Sequence, residues 1–203
     1  MASTGPKVDK TYITEQDHIL DGFRLGIQIF DSGFRPSFIV GLWRGGSSVG
    51  IVVQECLATL GVATDHIALR TSYGGREEYE QTYRNKSSIR VHGRQYLLEN
   101  INFDDRLLIV DDVFSSGRHS QAVIDSLRMR LKRNTPGDIR VASTWYRPSP
   151  TEPDQRKPDY FVNETKDWLV LPYELGGLTS TEIANHKPFL QPLLERCQTD
   201  KAN

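Results

Sequence analysis

Only two cysteines, Cys56 and Cys197, occur in the 203 residues. They are too few for a disulfide framework and lack metal-ligand spacing. No apolar run approaches the ~20 residues needed to cross a bilayer. The opening MASTGPKVDK has no apolar segment behind its charges, so no secretory signal is visible, and residues 1–10 read as a frayed end. Excess charge of one sign is also lacking, since 25 Lys and Arg nearly cancel 26 Asp and Glu, leaving −1. That balance argues against a global attraction to nucleic acid or to an anionic membrane. No internal repeat and no low-complexity tract interrupts the chain. A soluble, cytoplasmic protein is the expectation, and 37% hydrophobic residues suffice for the core of a single domain.

Hydrophobic spacing supplies the elements. Ile19, Leu20, Phe23, Ile27 and Phe30 recur at helical intervals, which predicts a helix over 16–30 resting on that face. SFIVGL at 37–42 reads as a buried strand, WRGGSS as a turn, and 49–60 as a helix stopped by Gly61. A short strand at 66–69 precedes a polar stretch over 72–104, too long for a passive connection and read as either a mobile lid or a disordered segment, with a weak hairpin near 89–98. RLLIV at 106–110 is a second buried strand, 119–132 a helix and 139–144 a third strand. Alternation of this kind predicts an α/β fold with a mostly parallel sheet covered on both faces, its functional loops at the carboxyl ends of the strands. The boundaries expected are a core over about 37–146 and a small C-terminal hood over about 147–175. Residues 195–203 read as a flexible end.

The most informative segment is LLIVDDVFSSGRHSQAVIDSL, 107–127. A buried strand delivers adjacent carboxylates, Asp111 and Asp112, to a small-residue turn ahead of a helix. Main-chain N–H groups and hydroxyls over Ser115, Ser116, Gly117, Arg118 and His119 can converge on a phosphate, helped by the partial positive charge of the helix end. The two acids would repel that phosphate and suit instead the vicinal hydroxyls of a ribose, with a bridging Mg²⁺. A second turn, FIVGLWRGGSSVG at 38–50, exposes Arg44 and main-chain N–H groups beside Gly45. Between Arg70 and Arg94, six Lys and Arg face three Glu, a local attraction for a polyanion.

VDDVFSSG resembles the 5-phosphoribosyl-1-pyrophosphate (PRPP) signature of the type I phosphoribosyltransferases, and the Arg-Gly-Gly turn resembles their pyrophosphate loop. Ser72-Tyr73 is similar to the Ser-Tyr pair of a lid that closes over the reacting centre in purine members. VASTWYRPSP and KDWLVLPYEL resemble the base-binding half of the xanthine–guanine branch. The resemblance implies a fold of that family. It also implies Arg147 on the purine 6-oxo group, Trp168 stacked on the ring, a main-chain contact at Leu169, and Mg²⁺ held by Asp111, Asp112 and Glu174. The catalytic set would be Asp111, Asp112, Arg44 and Ser115, with PRPP bound by Arg44, Gly45, Asp111, Asp112 and residues 115–119. The partners implied are PRPP and a purine base, in a homo-oligomer, dimer or tetramer. One departure stands out: Ser115 occupies a position where many 6-oxopurine enzymes carry Asp. Serine is a poor general acid or base at neutral pH. Two alternatives stay open: a PRPP- or nucleotide-sensing regulator with little catalysis, and a transferase for another base.

Overall fold

A computed structural model describes residues 10–71, 89–148 and 156–199. In chain order the elements are β1 (Lys10–Tyr12), α1 (Glu15–Asp31), β2 (Phe38–Trp43), α2 (Gly45–Thr59), β3 (Asp65–Arg70) and α3 (Gln95–Asn100). There follow β4 (Arg106–Phe114), α4 (Arg118–Leu131), β5 (Asp138–Tyr146), β6 (Tyr160–Glu164), β7 (Trp168–Val170), α5 (Ser180–His186) and α6 (Gln191–Thr199). Among the described residues one five-stranded sheet runs β3-β2-β4-β5-β6 with every pair parallel.

Continuous apolar runs make β2 and β4 central, because alternate side chains of a strand must find cover on opposite faces. Val40, Leu42, Leu107 and Ile109 pack under Leu97, Val123, Ile124 and Leu127 of α3 and α4. Their neighbours Ile39, Leu108 and Val110 pack under Leu25, Ile29, Val49, Val53 and Leu57 of α1 and α2. The expected α/β architecture is thus present, with helices on both faces.

Several boundaries and one face differ from the sequence reading. β4 runs on to Phe114, so Asp111 and Asp112 lie within the strand rather than beyond it. The second glycine turn is already helix, since α2 begins at Gly45. In α1 the buried residues are His18, Asp21, Gly22, Leu25, Gly26 and Ile29, whereas Ile19, Phe23 and Ile27 are 44%, 40% and 49% exposed. Close packing explains this inversion: a Cβ on Gly22 or Gly26 would meet Val52 or Cys56 within 2.9 Å, so α1 lies on α2 through its smallest residues. The hairpin expected near 89–98 is instead a lone antiparallel bridge, Arg70 to His92, followed by α3, whose Leu97 is fully buried.

The hood also differs. β7 pairs with β1, Lys10 opposite Trp168 and Tyr12 opposite Val170, so Lys10 belongs to a strand and not to a frayed end. Tyr12 stacks on His186 of α5 with centroids 3.6 Å apart, and Lys10 Nζ donates to Glu182 Oε1 at 2.6 Å. Residues 195–199 continue α6 instead of fraying. No helix among the described residues is long and apolar enough to cross a membrane.

Candidate active site

A cleft of about 440 Å³ opens at the carboxyl ends of β2 and β4, under the hood. That is where crossover connections leave strand ends uncovered in a parallel sheet. Arg44, Gly45, Asp111, Asp112, Ser115, His119, Arg147, Trp168, Leu169 and Glu174 all border it. Ser116, Gly117 and Arg118 border a separate hollow of about 240 Å³ behind the loop, with Gln121 and Arg156. Ser72 and Tyr73, named as the lid, lie outside the described residues.

The acid pair is held by the strand that delivers it. Asp112 Oδ1 accepts from the Val113 amide at 2.9 Å, and Asp111 Oδ1 from the Asp112 amide at 3.0 Å. From β5, the Ser143 and Thr144 hydroxyls both donate to the Asp112 carbonyl, at 3.0 and 2.9 Å. Burial, reinforced by the neighbouring Asp112 charge, pushes the Asp111 carboxyl well above the usual range.

Gly45 and Gly46 let α2 start against this pair. A Cβ on Gly45 would stand 1.7 Å from Asp112 Oδ2 and 1.9 Å from Tyr173 Oη. One on Gly46 would stand 2.3 Å from the Val110 carbonyl oxygen. A side chain at Gly45 would have to displace the Asp112 and Tyr173 side chains, and one at Gly46 the β4 backbone, which is the physical reason for two glycines behind Arg44. The Trp43–Arg44 peptide is cis. Ser48 donates to the Gly45 carbonyl at 2.8 Å and lies 2.9 Å from buried His18 Nε2, which ties this turn to α1.

Across the cleft, the turn after β7 supplies the expected Glu174 and, beside it, Tyr173, which the sequence analysis does not name. Tyr173 Oη donates to Asp112 Oδ2 at 2.5 Å. Burial and the Asp112 charge push the phenol upward, so it remains a donor. Arg44 Nη2 donates to Glu174 Oε1 at 3.1 Å, while Glu174 Oε2 accepts from the Leu171 amide. Burial raises the Glu174 carboxyl above its ordinary value, against the pull of that amide and of Arg44. The turn is pinned from below by Lys187, buried, whose Nζ donates to the Leu171 and Pro172 carbonyls at 2.9 and 2.5 Å. Lys187 stands far along the chain with no motif around it, whereas Tyr173 sits beside Glu174 and could have been read with it.

In the loop ahead of α4, Gly117 takes φ 66°. His119 Nδ1 lies 2.8 Å from the Thr71 hydroxyl, and burial brings its pKa down to about 4, leaving the ring neutral at pH 7. At the far end, the Arg147 guanidinium lies 4.7 Å over the Trp168 ring. Leu169 is buried against Ile13 and Leu171, so only its main chain remains for a ligand. Among the described residues no three acids, histidines or cysteines converge as a ready metal cage. The acid pair suits Mg²⁺ in the manner of sites that take one or two carboxylates and complete their shell with water and substrate oxygens.

Sheet order, crossover pattern and cleft define the type I phosphoribosyltransferase fold. Three solved structures make the likeness concrete. A purine phosphoribosyltransferase from Pyrococcus horikoshii Ot3 is similar over 85% of this chain and 98% of its own, at 23% identity and TM-score 0.60. The Helicobacter pylori xanthine-guanine-hypoxanthine phosphoribosyltransferase is similar over 80% and 92%, at 15% identity and TM-score 0.57. A hypothetical protein from Neisseria gonorrhoeae with bound ppGpp is similar over 93% and 99%, at 16% identity and TM-score 0.64. No family model matches the sequence, and no curated protein does so either.

Proposed function

We propose that the protein is a Mg²⁺-dependent phosphoribosyltransferase that joins a 6-oxopurine (xanthine, hypoxanthine or guanine) to PRPP, giving a nucleoside 5′-monophosphate and pyrophosphate for purine salvage. The observation carrying this reading is the convergence on one cleft of Arg44, the Asp111–Asp112 pair, Ser115 and the Arg147–Trp168 stack. A ring nitrogen of the base bonds to the anomeric carbon as the bond from that carbon to pyrophosphate breaks, and the nitrogen's proton leaves to solvent. Asp111 and Asp112 hold the ribose hydroxyls and favour positive charge developing on the sugar. Residues 115–119 anchor the 5′-phosphate, and Arg44 with the Gly45 amide offsets the charge of the departing pyrophosphate. Asp111, Asp112 and Glu174 would hold Mg²⁺, which would supply further charge neutralisation at the pyrophosphate. Arg147 donates to the 6-oxo group and Trp168 stacks on the ring. A homo-oligomer, dimer or tetramer, working in the cytoplasm is part of the same reading.

Two observations favour a second reading, in which the cleft senses PRPP or a nucleotide with little turnover. Ser115 stands where an acid would assist proton transfer, and the Neisseria protein of this fold holds ppGpp. Pyrophosphate release with PRPP and Mg²⁺ against xanthine, hypoxanthine, guanine, adenine and orotate, with and without EDTA, separates the two. Turnover of one 6-oxopurine, abolished by EDTA, is the expected result. Silence across the panel, with PRPP or ppGpp still raising the melting temperature, would replace the enzyme by the sensor.

A further inference from the structure

The groups on which the proposed chemistry depends are already satisfied by the protein itself. Asp112 has one oxygen on the Val113 amide and the other on the Tyr173 hydroxyl. Arg44 has its outward nitrogen on Glu174, with the guanidinium 5.8 Å from the Tyr173 ring. Both partners are consecutive residues of a single turn. That turn is braced by the Glu174 amide donating to the Leu171 carbonyl at 3.0 Å and by the two Lys187 contacts.

We propose that Tyr173 and Glu174 set the affinity and specificity of the cleft by standing, in the free protein, in the places of two ligand groups. The phenol hydroxyl takes the place of a ribose hydroxyl on Asp112, and the carboxylate that of a pyrophosphate oxygen on Arg44. This rests on the phosphoribosyltransferase reading and adds to it a rule of selection. A ligand carrying only one of the two groups displaces one contact while the other keeps the turn in place. A ligand carrying both, a ribose bearing pyrophosphate, releases the turn at once and gains from two sites joined in one molecule. The two contacts are unequal. Arg44 and Glu174 have side chains 56% and 27% exposed, so that pair holds weakly. The 2.5 Å hydrogen bond from the Tyr173 hydroxyl to the half-buried Asp112 carboxylate is short and charge-assisted and is the stronger of the two, which makes Tyr173 the dominant residue.

Calorimetry in Mg²⁺ with PRPP, ribose 5-phosphate and pyrophosphate, on wild type and Tyr173→Phe, tests the inference. The variant should bind PRPP and ribose 5-phosphate about tenfold more tightly and pyrophosphate unchanged. PRPP affinity equal to or weaker than wild type would overturn the proposal while leaving the transferase reading intact. Absence of PRPP binding in both proteins would refute that reading instead. Hydrogen exchange over 171–178 in the ligand-free proteins then judges the turn alone. Faster exchange in Tyr173→Phe supports the clasp, and unchanged exchange overturns it.

Discussion

Adding one methyl group at Gly45 should abolish ligand chemistry while leaving the fold nearly intact. The new carbon would stand 1.7 Å from Asp112 Oδ2 and 1.9 Å from Tyr173 Oη, where ordinary contact begins at 3.4 Å. Both oxygens must therefore withdraw by 1.7 and 1.5 Å respectively. They are side-chain ends, so they can do so without moving the backbone. Losing the Tyr173–Asp112 hydrogen bond costs about 1.5–3 kcal/mol. Replacing glycine in a helix returns roughly 0.5–1 kcal/mol. For a chain of this length the net change of about 0.5–2.5 kcal/mol lowers the melting temperature by roughly 1–10 °C. A carboxylate displaced by more than an ångström loses about 10²-fold in rate. Gly46→Ala provides the contrast, because its Cβ would strike the Val110 carbonyl at 2.3 Å and the Asp111 Cα at 2.9 Å. There β4 itself must move, at about 3 kcal/mol and a fall of roughly 6–12 °C. Thermal melts read the first quantity, and pyrophosphate release or PRPP calorimetry the second. Gly45→Ala with turnover or PRPP affinity within about threefold of wild type would refute the placement of Asp112 at the reacting centre.

Other perturbations are equally direct. Asp112→Asn should lower turnover about 10²–10³-fold with a much smaller effect on base affinity, and steady-state kinetics with separate base binding check both. Trp168→Ala should weaken base binding by about 1–3 kcal/mol and leave pyrophosphate binding unaltered, as fluorescence titration can show. His119 titrates near 4 when folded and near 6.5 when unfolded. The unfolded chain therefore binds the extra proton between these values, and stability should fall as pH drops from about 6.5 to 4, by up to about 2–3 kcal/mol. Urea melts at pH 7 and pH 5 should show this loss reduced in His119→Gln, and an identical pH slope in the two proteins would contradict the assignment.

How much of this was legible in the sequence depends on how local the signal is. LLIV and FIVGL carry no polar side chain, so they announce strands buried on both faces, and the glycine- and serine-rich segments that follow mark the two candidate functional turns. The acid pair and Arg44 were accessible for that reason, whereas Arg147 and Trp168 were reached only through the resemblance of VASTWYRPSP and KDWLVLPYEL to a known family. The face of α1 was not. Periodicity identifies a helix, but the stripe of Ile19, Phe23 and Ile27 outweighed Gly22 and Gly26, whose role is visible only when α2 lies against them. Strand ends misled similarly: Asp111 and Asp112 are polar, yet main-chain pairing of β4 with β5 extends past them to Phe114 and Tyr146. Tyr173 on Asp112 joins residues 61 apart, and no pattern on either side foretells the contact.

The parallel pairing of β1 with β7 has a consequence for how the molecule is made. Thr11 on β1 donates to Asp167 beside β7 across a sequence separation of 156. On a ribosome the first of these strands emerges long before its partner exists. The central sheet, built from neighbouring crossovers, can assemble while β1 still waits. The base end of the cleft is then the last part to close, against the full entropy of a loop that spans most of the chain. During that interval Ile13 lacks the Leu169 and Leu171 side chains that cover it in the finished protein. Nascent chains stalled before residue 168 should therefore present the Asp111–Asp112 side of the cleft without the wall formed by Trp168, Leu169 and Leu171.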